Sequence, residues 1–208
     1  MGESNLFTNK VKPTNEIKPS NKFTILFAGN IGEAQDFESI IKAVEILSSK
    51  KINNFRILIL GEGSKKRWLV NEIKTLGIDS YFEIKQKYPL EKMPSFFYHA
   101  DALLVSLLNR NGFNMTIPGK IPFYLSSGIP IIGMINGEGS RIIKEAKAGF
   151  VCEASNYIEL SNLILKMSFL DKNKLQEMGK NGKLYSEKEF SKTKQVTRLL
   201  SIFKNFIE

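Results

Sequence analysis

The sequence predicts an α/β fold in which a doubly wound parallel sheet of about six strands forms one Rossmann-like domain. Six short runs of β-forming residues are each followed by a segment with apolar residues at helical spacing, an alternation typical of βαβ units. The strand-like runs are almost continuously apolar, as expected of a parallel sheet covered by helices on both faces. A length of 208 residues fits one such domain.

The first half of the chain supplies three strands and three helices. Gly77 follows the second helix at a C′ position, and Pro94 lies in the first turn of the third, where a missing N–H costs little. The predicted strands are 23–28, 55–60 and 81–84, and the predicted helices are 36–50, 64–76 and 90–99. The first helix rests on the apolar spacing of Phe37, Ile40, Ile41, Val44 and Leu47.

The second half continues the alternation and ends in three consecutive helices. Runs of β-forming residues predict strands at 102–107, 129–133 and 150–152. Gly128 and Gly149 each follow a helix-like segment, as glycines at helix ends commonly do. The predicted helices of this half are 120–127, 138–148, 157–169, 172–188 and 192–207.

Residues 1–22 are polar, contain Pro13 and Pro19, and carry few apolar side chains. We interpret them as a linker or tail that precedes a domain over 23–208. This start has no apolar h-region, so no secretory signal is expected, and no run of about 18 apolar residues predicts a membrane span. The expected location is cytoplasmic.

The composition favours anionic partners. Lysine and arginine outnumber the acidic residues by 30 to 21, a formal net charge of +9, which suits nucleic acid, phosphate esters or an anionic membrane. The scatter of these charges does not indicate a nucleic-acid stripe. The single cysteine, Cys152, excludes an intramolecular disulfide and a multi-cysteine zinc site, and the single histidine, His99, excludes H-E-x-x-H chemistry.

Two glycine-rich loops follow the first two strands. In a doubly wound sheet, ligands bind in the crevice beyond the carboxyl ends of the strands, so these loops are candidate sites. They are Gly29-Asn30-Ile31-Gly32 and Gly61-Glu62-Gly63-Ser64, the latter followed by Lys65. The same rule marks 85–88, 109–120 and 133–140 as further candidate segments. Such glycines either let backbone N–H groups approach a phosphate or form tight turns, and the sequence leaves both interpretations open.

The segment from Thr116 to Lys120 is the most specific local feature. Thr116 can cap a helix, Pro118 favours its first turn, and Gly119 removes a side chain from its N-terminus. Lys120 then places a cation where the helix dipole disfavours one, which indicates an anion nearby. Further on, Glu138 either favours a helix N-terminus electrostatically or accepts hydrogen bonds from a ribose or a sugar.

These landmarks, in this order, resemble the family 4 (group 1) glycosyltransferases, in the branch that builds bacterial surface polysaccharides. The resemblance covers about residues 22–208 and is carried by 27–35, 36–47, 58–63, 90–94, 100–104, Thr116-Ile117-Pro118-Gly119-Lys120, 124–131 and Asn136-Gly137-Glu138-Gly139. The family has the GT-B fold, in which two Rossmann-like domains face a cleft. The resemblance implies that this chain is the C-terminal domain, which binds the nucleotide sugar, and that the acceptor domain is absent from it.

The resemblance also implies a set of site residues. Ile84 and Lys85 would hold the base through backbone groups, and Lys120 and Glu138 are the candidate catalytic residues. The family's retaining enzymes need no metal, because side chains and helix N-termini stabilise the departing diphosphate, so no metal or other cofactor is expected. The remaining candidate substrate-binding residues are Gly29, Asn30, Ile31, Gly32, Gln35, Gly63, Lys65, Thr116, Pro118 and Gly119.

The chain departs from the family pattern at two places. Many relatives carry arginine and lysine where this chain has Asn30 and Gln35, and two glutamates where it has Met115 and Phe123. The second of those glutamates contacts the ribose. The branch that this chain resembles often lacks these groups as well, so activity is still expected, and Glu138 is the substitute candidate for the ribose contact.

The expected function is that of a glycosyltransferase fragment that binds a nucleotide-diphosphate sugar, with UDP as the expected nucleotide. The transfer would be retaining, of a hexosyl or N-acetylhexosaminyl group, to a saccharide or lipid-linked acceptor at the inner face of the plasma membrane. The isolated domain is expected to be inactive, and no nucleic-acid partner is expected. The alternative is a non-catalytic, degenerate half that activates a partner subunit. A NAD-dependent enzyme fits less well, because the first loop has no G-x-G-x-x-G fingerprint.

Overall fold

The computed structural model describes residue 7, residues 11–110 and residues 112–207. Six parallel strands form one sheet in the order β3-β2-β1-β4-β5-β6. The doubly wound sheet predicted from the sequence is therefore confirmed. The strands are β1 (Phe23–Ala28), β2 (Phe55–Leu60), β3 (Phe82–Lys85), β4 (Ala102–Ser106), β5 (Ile131–Met134) and β6 (Gly149–Cys152).

Helices connect the strands and cover both faces of the sheet. Short 3₁₀ turns occupy Glu33–Gln35, Asp79–Tyr81, Leu90–Lys92 and Phe113–Met115. The α-helices are α1 (Phe37–Ser49), α2 (Lys66–Thr75), α3 (Met93–Phe97), α4 (Lys120–Ser127), α5 (Gly137–Glu145), α6 (Tyr157–Ser168), α7 (Lys172–Glu189) and α8 (Lys192–Ile207).

Two helices, α3 and α5, end two or three residues before their predicted limits, because their last turns close differently. The predicted helix 90–99 divides into a 3₁₀ turn and α3, and the amide of Ala100 then donates to the carbonyl of Phe97, an i→i+3 bond that ends the α-helix. Helix α5 ends at Glu145 instead of residue 148, since Lys147 adopts a left-handed conformation with φ of 50°.

The alternation of side chains along each strand builds two cores. In β1, Ile25 and Phe27 face the first core, which is shared with α1 and α6. Leu26 faces the second core, which is shared with α3, α4 and α5. All three side chains are fully buried. Burial on both faces explains why the strands are continuously apolar and carry no alternating pattern.

The strand order places a topological switch point beside β1. This strand pairs with β2 on one side and with β4 on the other, so the connections that leave β1 and β4 run in opposite directions. A crevice opens between their loops at the carboxyl end of the sheet, where doubly wound proteins bind their ligands.

Residues 14–18, which we call the strap, cross the edge of the second core. Ile17 is 1% exposed, although the surrounding segment is polar enough to suggest a linker. The amide of Thr14 donates to the carbonyl of Ser95 at 3.2 Å, and Nη1 of Arg56 donates to the carbonyl of Lys18 at 3.1 Å. One buried isoleucine and these bonds attach the strap to the domain.

The contact between α7 and α4 depends on a glycine, and it generates a test of the packing. A Cβ on Gly179 would collide with the carbonyl oxygen of Gly128, which ends α4. We expect Gly179→Ala to lower the free energy of unfolding by about 1–3 kcal/mol, as overpacking does. Urea denaturation measures this. Gly119→Ala is the matched control, because a Cβ there meets nothing within 4 Å; equal stability of the two variants would contradict the proposed packing.

Candidate active site

The loops after β1 and β2 are joined through their backbones. The amide of Gly29 donates to the carbonyl of Leu60 at 2.9 Å, and the amide of Ile31 donates to the carbonyl of Glu62 at 2.8 Å. The carbonyl of Ile31 in turn accepts from the amide of Lys65 at 3.0 Å. The first loop therefore rests on the second as a rigid layer at the edge of the sheet.

The glycines of the second loop permit this close approach. A Cβ on Gly61 would collide with the carbonyl oxygen of Gly29, and a Cβ on Gly63 would collide with that of Ile31. Gly63 also has a φ of 157°, which L side chains rarely adopt. Of the two interpretations left open by the sequence, the tight turn has a direct structural cause here, and a phosphate contact of Gly63 stays a prediction.

Tyr124 of α4 is bonded to the end of β1. Its hydroxyl accepts a hydrogen bond from the amide of Ala28 at 2.9 Å and donates to the carbonyl of the same residue at 3.2 Å. The side chain is fully buried, and this burial raises the pKa of Tyr124 well above its ordinary value. Helix α4 is thereby held against the last residue of β1.

Lys120 lies one helical turn before Tyr124 and reaches across the end of β1. Its Nζ is 3.6 Å from the centroid of the Phe27 ring, and a Cβ on Gly29 would lie 2.9 Å from the same atom. Among the described residues, no carboxylate lies within ion-pair distance of this ammonium. Desolvation by burial lowers the pKa of Lys120 to about 7.

An open pocket of about 300 Å³ lies beside this ammonium. Gly29, Gly119 and Lys120 line it where α4 begins. The loop after β3, the 3₁₀ turn before α3 and the start of α3 supply further lining, which is mostly apolar and includes Lys87. Its lining residues are Ala28, Gly29, Leu60, Lys87, Tyr88, Leu90, Met93, Gly119, Lys120, Phe123 and Tyr124.

The structure brings only some of the predicted site residues to this pocket. Gly29, Gly119 and Lys120 line it. Gly32 and Lys65 line a different pocket of about 200 Å³ on the far side of the first loop. Tyr88, Leu90 and Met93 form what we call the outer wall of the pocket. Tyr88 lies in 85–88, which the rule for strand ends marked as a candidate site, whereas Leu90 and Met93 were not predicted, since they resemble ordinary surface or core composition in the sequence.

Other predicted residues hold the loops together. Gln35 accepts a hydrogen bond from the amide of Gly32 at 3.2 Å, while the Asn30 side chain is exposed. The carbonyl of Lys85 accepts from the amide of Gly61 at 3.2 Å, and Ile84 pairs with β2 beside it. Substrate contacts of these residues stay predictions.

The predicted capping role of Thr116 is wrong. Helix α4 begins after Gly119, which has no side chain to cap it, and the hydroxyl of Thr116 donates to the carbonyl of Phe113 at 3.3 Å instead. Pro118 does contribute to the first turn, because its carbonyl accepts from the amide of Ile121 at 2.9 Å. The first N–H groups of α4 therefore lack a side-chain cap at the edge of the pocket.

Glu138 lies in the first turn of α5 and pairs with Arg141, with 2.8 Å between Oε2 and Nη2. This guanidinium, which also pairs with Glu145, holds the pKa of Glu138 below its usual value. Glu138 does not line the pocket beside Lys120. Its predicted catalytic and ribose-binding roles stay predictions.

Hydrogen bonds also link the remaining loops at this edge. Ser155, after β6, donates to the carboxylate of Asp36 at 2.7 Å, and Ser106, at the end of β4, donates to the carbonyl of Gln35 at 2.6 Å. Nδ2 of Asn136 lies 3.4 Å from Oδ1 of Asn109. The two serines thus hold Gln35 and Asp36, just after the first loop, and the two asparagines join the loops after β4 and β5.

No group of three or more histidine, cysteine, aspartate or glutamate side chains in the described part of the chain is arranged to hold a metal ion. Within the same residues, no helix has the length and apolar character needed to cross a membrane.

A Rossmann-like sheet with a cationic crevice at its switch point is the architecture of one half of a GT-B glycosyltransferase. The family described as "Glycosyl transferases group 1" matches residues 9–185. This chain belongs to that family. The match begins within the segment predicted as a linker, which contains the strap.

Two curated relatives are similar over part of their length. The "Probable glycosyltransferase WbjE" of Pseudomonas aeruginosa is 27% identical over 153 residues, which are 70% of this chain and 36% of WbjE. WcaI of Escherichia coli K12 is 29% identical over 113 residues, 53% of this chain and 26% of WcaI. This chain thus spans about a third of these relatives or less.

Solved structures share the fold at low sequence identity. Anabaena HepE, solved with UDP and glucose, has a TM-score of 0.75 at 15% identity, over 95% of this chain and 54% of HepE. Staphylococcus aureus TarM, solved with UDP among its ligands, has a TM-score of 0.74 at 16% identity, over 95% of this chain and 38% of TarM. The C-terminal domain of LpcC from Francisella tularensis gives 0.69 at 17% identity, over 91% of this chain and 98% of that domain.

The bond between Tyr124 and Ala28 generates a test of how α4 is held. Tyr124→Phe removes the hydroxyl, so the amide and the carbonyl of Ala28 both lose their hydrogen bond to it. Losing such buried partners should lower the free energy of unfolding by about 1–3 kcal/mol, measured by urea denaturation. Tyr98→Phe is the control, because that tyrosine is 63% exposed and should change stability little. If both variants were as stable as the parent chain, the bond would not hold α4.

Proposed function

We propose that this chain is the C-terminal, donor-binding half of a GT-B glycosyltransferase and that the pocket beside Lys120 binds a nucleotide-diphosphate sugar, with UDP as the nucleotide. The observation that carries the proposal is the ammonium of Lys120, which is desolvated beside the pocket and has no carboxylate partner among the described residues.

An ammonium in this position costs stability unless an anion pairs with it. The uncapped N–H groups of α4 add the positive end of a helix dipole at the same edge of the pocket. Gly29, which has no side chain, leaves the approach to Lys120 open. A diphosphate supplies the negative charge that these groups lack.

Two groups of lining residues suit the two parts of a nucleotide. The diphosphate would lie against Gly29, Gly119 and Lys120, and the base would lie against the apolar outer wall. HepE and TarM, which share the fold, were both solved with UDP, and this supports UDP as the nucleotide.

In the proposed reaction, the sugar–phosphate bond breaks and negative charge develops on the departing UDP. Lys120, protonated when the diphosphate is bound, would stabilise that charge together with the N-terminus of α4. No metal is required for this role. Glu138 and the first loop, from Asn30 to Gln35, are the candidates for contacts with the sugar, and the transfer would be retaining.

The acceptor would be held by a second, N-terminal domain. This chain spans 36% of WbjE and 54% of HepE, so the partner domain accounts for a large part of such proteins. We propose a saccharide or lipid-linked acceptor, a hexosyl or N-acetylhexosaminyl donor group, and a place in cell-surface polysaccharide synthesis. The domain alone would bind donor without transferring it, and its net charge of +9 would favour an anionic membrane surface at the cytoplasmic face.

The role of Lys120 is tested by titration calorimetry. UDP should bind the parent chain, and Lys120→Ala should weaken UDP binding by about 1.5–3 kcal/mol, which corresponds to a charge-assisted hydrogen bond. Lys180→Ala, which removes an equal charge from an exposed position on α7, should leave the affinity unchanged. GDP and ADP serve as comparison ligands. Absence of UDP binding at millimolar concentration would refute the proposal.

The lowered pKa of Lys120 predicts a pH dependence. Without a ligand, the pKa of the Lys120 amine is about 7. A bound diphosphate would raise that pKa, because the negative charge favours the protonated amine. Binding above pH 7 therefore takes up a proton. Between pH 7 and 9 the UDP affinity should therefore fall by up to about tenfold per pH unit. Calorimetry in buffers of different ionisation enthalpy detects the proton. The same slope in Lys120→Ala would show that another group titrates.

A further inference from the structure

Tyr88 lies where the strap meets the pocket. It belongs to the loop after β3 and forms part of the outer wall. Its ring packs on Phe96, with 4.2 Å between the ring centroids and 38° between the planes. Phe96 is fully buried in the second core, so this neighbour supports the Tyr88 ring from the protein side.

The hydroxyl of Tyr88 is held from the strap. It donates to Oε2 of Glu16 at 2.5 Å, and this bond to a carboxylate is the main reason that the pKa of Tyr88 rises to about 12. The backbone around Glu16 is anchored on both sides, because the carbonyl of Thr14 lies 2.9 Å from Nε2 of His99 and Ile17 is buried. Glu16 therefore presents its carboxylate from a supported position.

We propose that Tyr88 is the residue on which the nucleobase packs and that Glu16 positions its ring. This inference rests on the proposed function, since it assumes that the pocket holds a nucleotide. A ring supported on one side by Phe96 and bonded at its hydroxyl loses little freedom when a flat heteroaromatic base packs on it. Leu90 and Met93 add apolar surface beside this ring, and the neighbouring Lys87 also lines the pocket.

The arrangement makes part of the donor site depend on a segment outside the sheet and its helices. The strap contributes no residue to the pocket lining, and among the described residues its hydrogen bond to that lining is the one between Glu16 and Tyr88. Loss of this bond would release the tyrosine ring while leaving Lys120 and the bonds of Tyr124 in place. Affinity for the base and affinity for the diphosphate are therefore separable in this chain.

Titrations of the 208-residue chain with UDP and with inorganic pyrophosphate test the role of Tyr88. Tyr88→Ala should weaken UDP binding by about tenfold, the usual effect of removing a base-stacking ring, and should leave pyrophosphate binding unchanged. Lys120→Ala should weaken both ligands. Tyr98→Ala, at an exposed tyrosine outside the pocket, is the matched control and should change neither.

The UDP affinities of Glu16 and Tyr88 variants test the positioning role of Glu16. Glu16→Ala should weaken UDP by about threefold, and Glu16→Gln, which keeps an acceptor oxygen, should restore the affinity. Tyr88→Phe should match Glu16→Ala, and combining the two should add nothing, because both remove the same bond. None of these variants should alter the affinity for pyrophosphate.

The outcomes separate this inference from the proposed function. Unchanged UDP affinity in Tyr88→Ala, or equal weakening of UDP and pyrophosphate, would overturn the role of Tyr88 while the effect of Lys120→Ala still supported the donor site. Failure of Glu16→Gln to restore binding would overturn the positioning role. If the parent chain bound pyrophosphate but not UDP, or bound neither, the nucleotide pocket itself would be refuted and the role of Tyr88 with it.

Discussion

The hydrogen bonds between Tyr124 and Ala28 determine where the charge of this domain lies. They attach α4 to the end of β1 at the switch point of the sheet, and Lys120 is one turn away on the same helix. Because the helix is held there, the lysine side chain crosses the Phe27 ring and reaches the glycine that begins the first loop. A helix free to shift would let the ammonium turn towards water, where it would be better solvated.

The position of Gly29 also depends on the glycines of the second loop. Gly61 and Gly63 let the second loop support the first, and Ser106 and Ser155 hold Gln35 and Asp36, which follow the first loop. Glycine-rich loops after parallel strands are often taken as phosphate cradles. Here their geometry first explains a supporting layer, on which Gly29 leaves room for the Lys120 side chain. Stability and ligand access thus depend on the same backbone contacts.

The fold was predictable from sequence because its causes are local and repeated. The apolar runs of β1 and β2 and the helix from Lys120 to Ser127 have the predicted limits, since turn-forming glycines bound them closely. The site was predictable only in part. Lys120 is conspicuous as a cation at a helix start, whereas Tyr124 and Tyr88 act through partners 96 and 72 residues away along the chain, and no local pattern records such pairs.

Two of the departures from the family pattern can be located in the structure. Phe123 lines the pocket where many relatives carry a ribose-binding glutamate, and Met115, at the other glutamate position, is 84% exposed. The pocket wall is therefore apolar at that point, and binding energy would come from the base and the diphosphate. Lys120 is partly buried against the Phe27 ring, with no carboxylate at ion-pair distance among the described residues, and an ammonium in such a place is stabilised by a bound anion. The position of Lys120 therefore supports the proposed donor site.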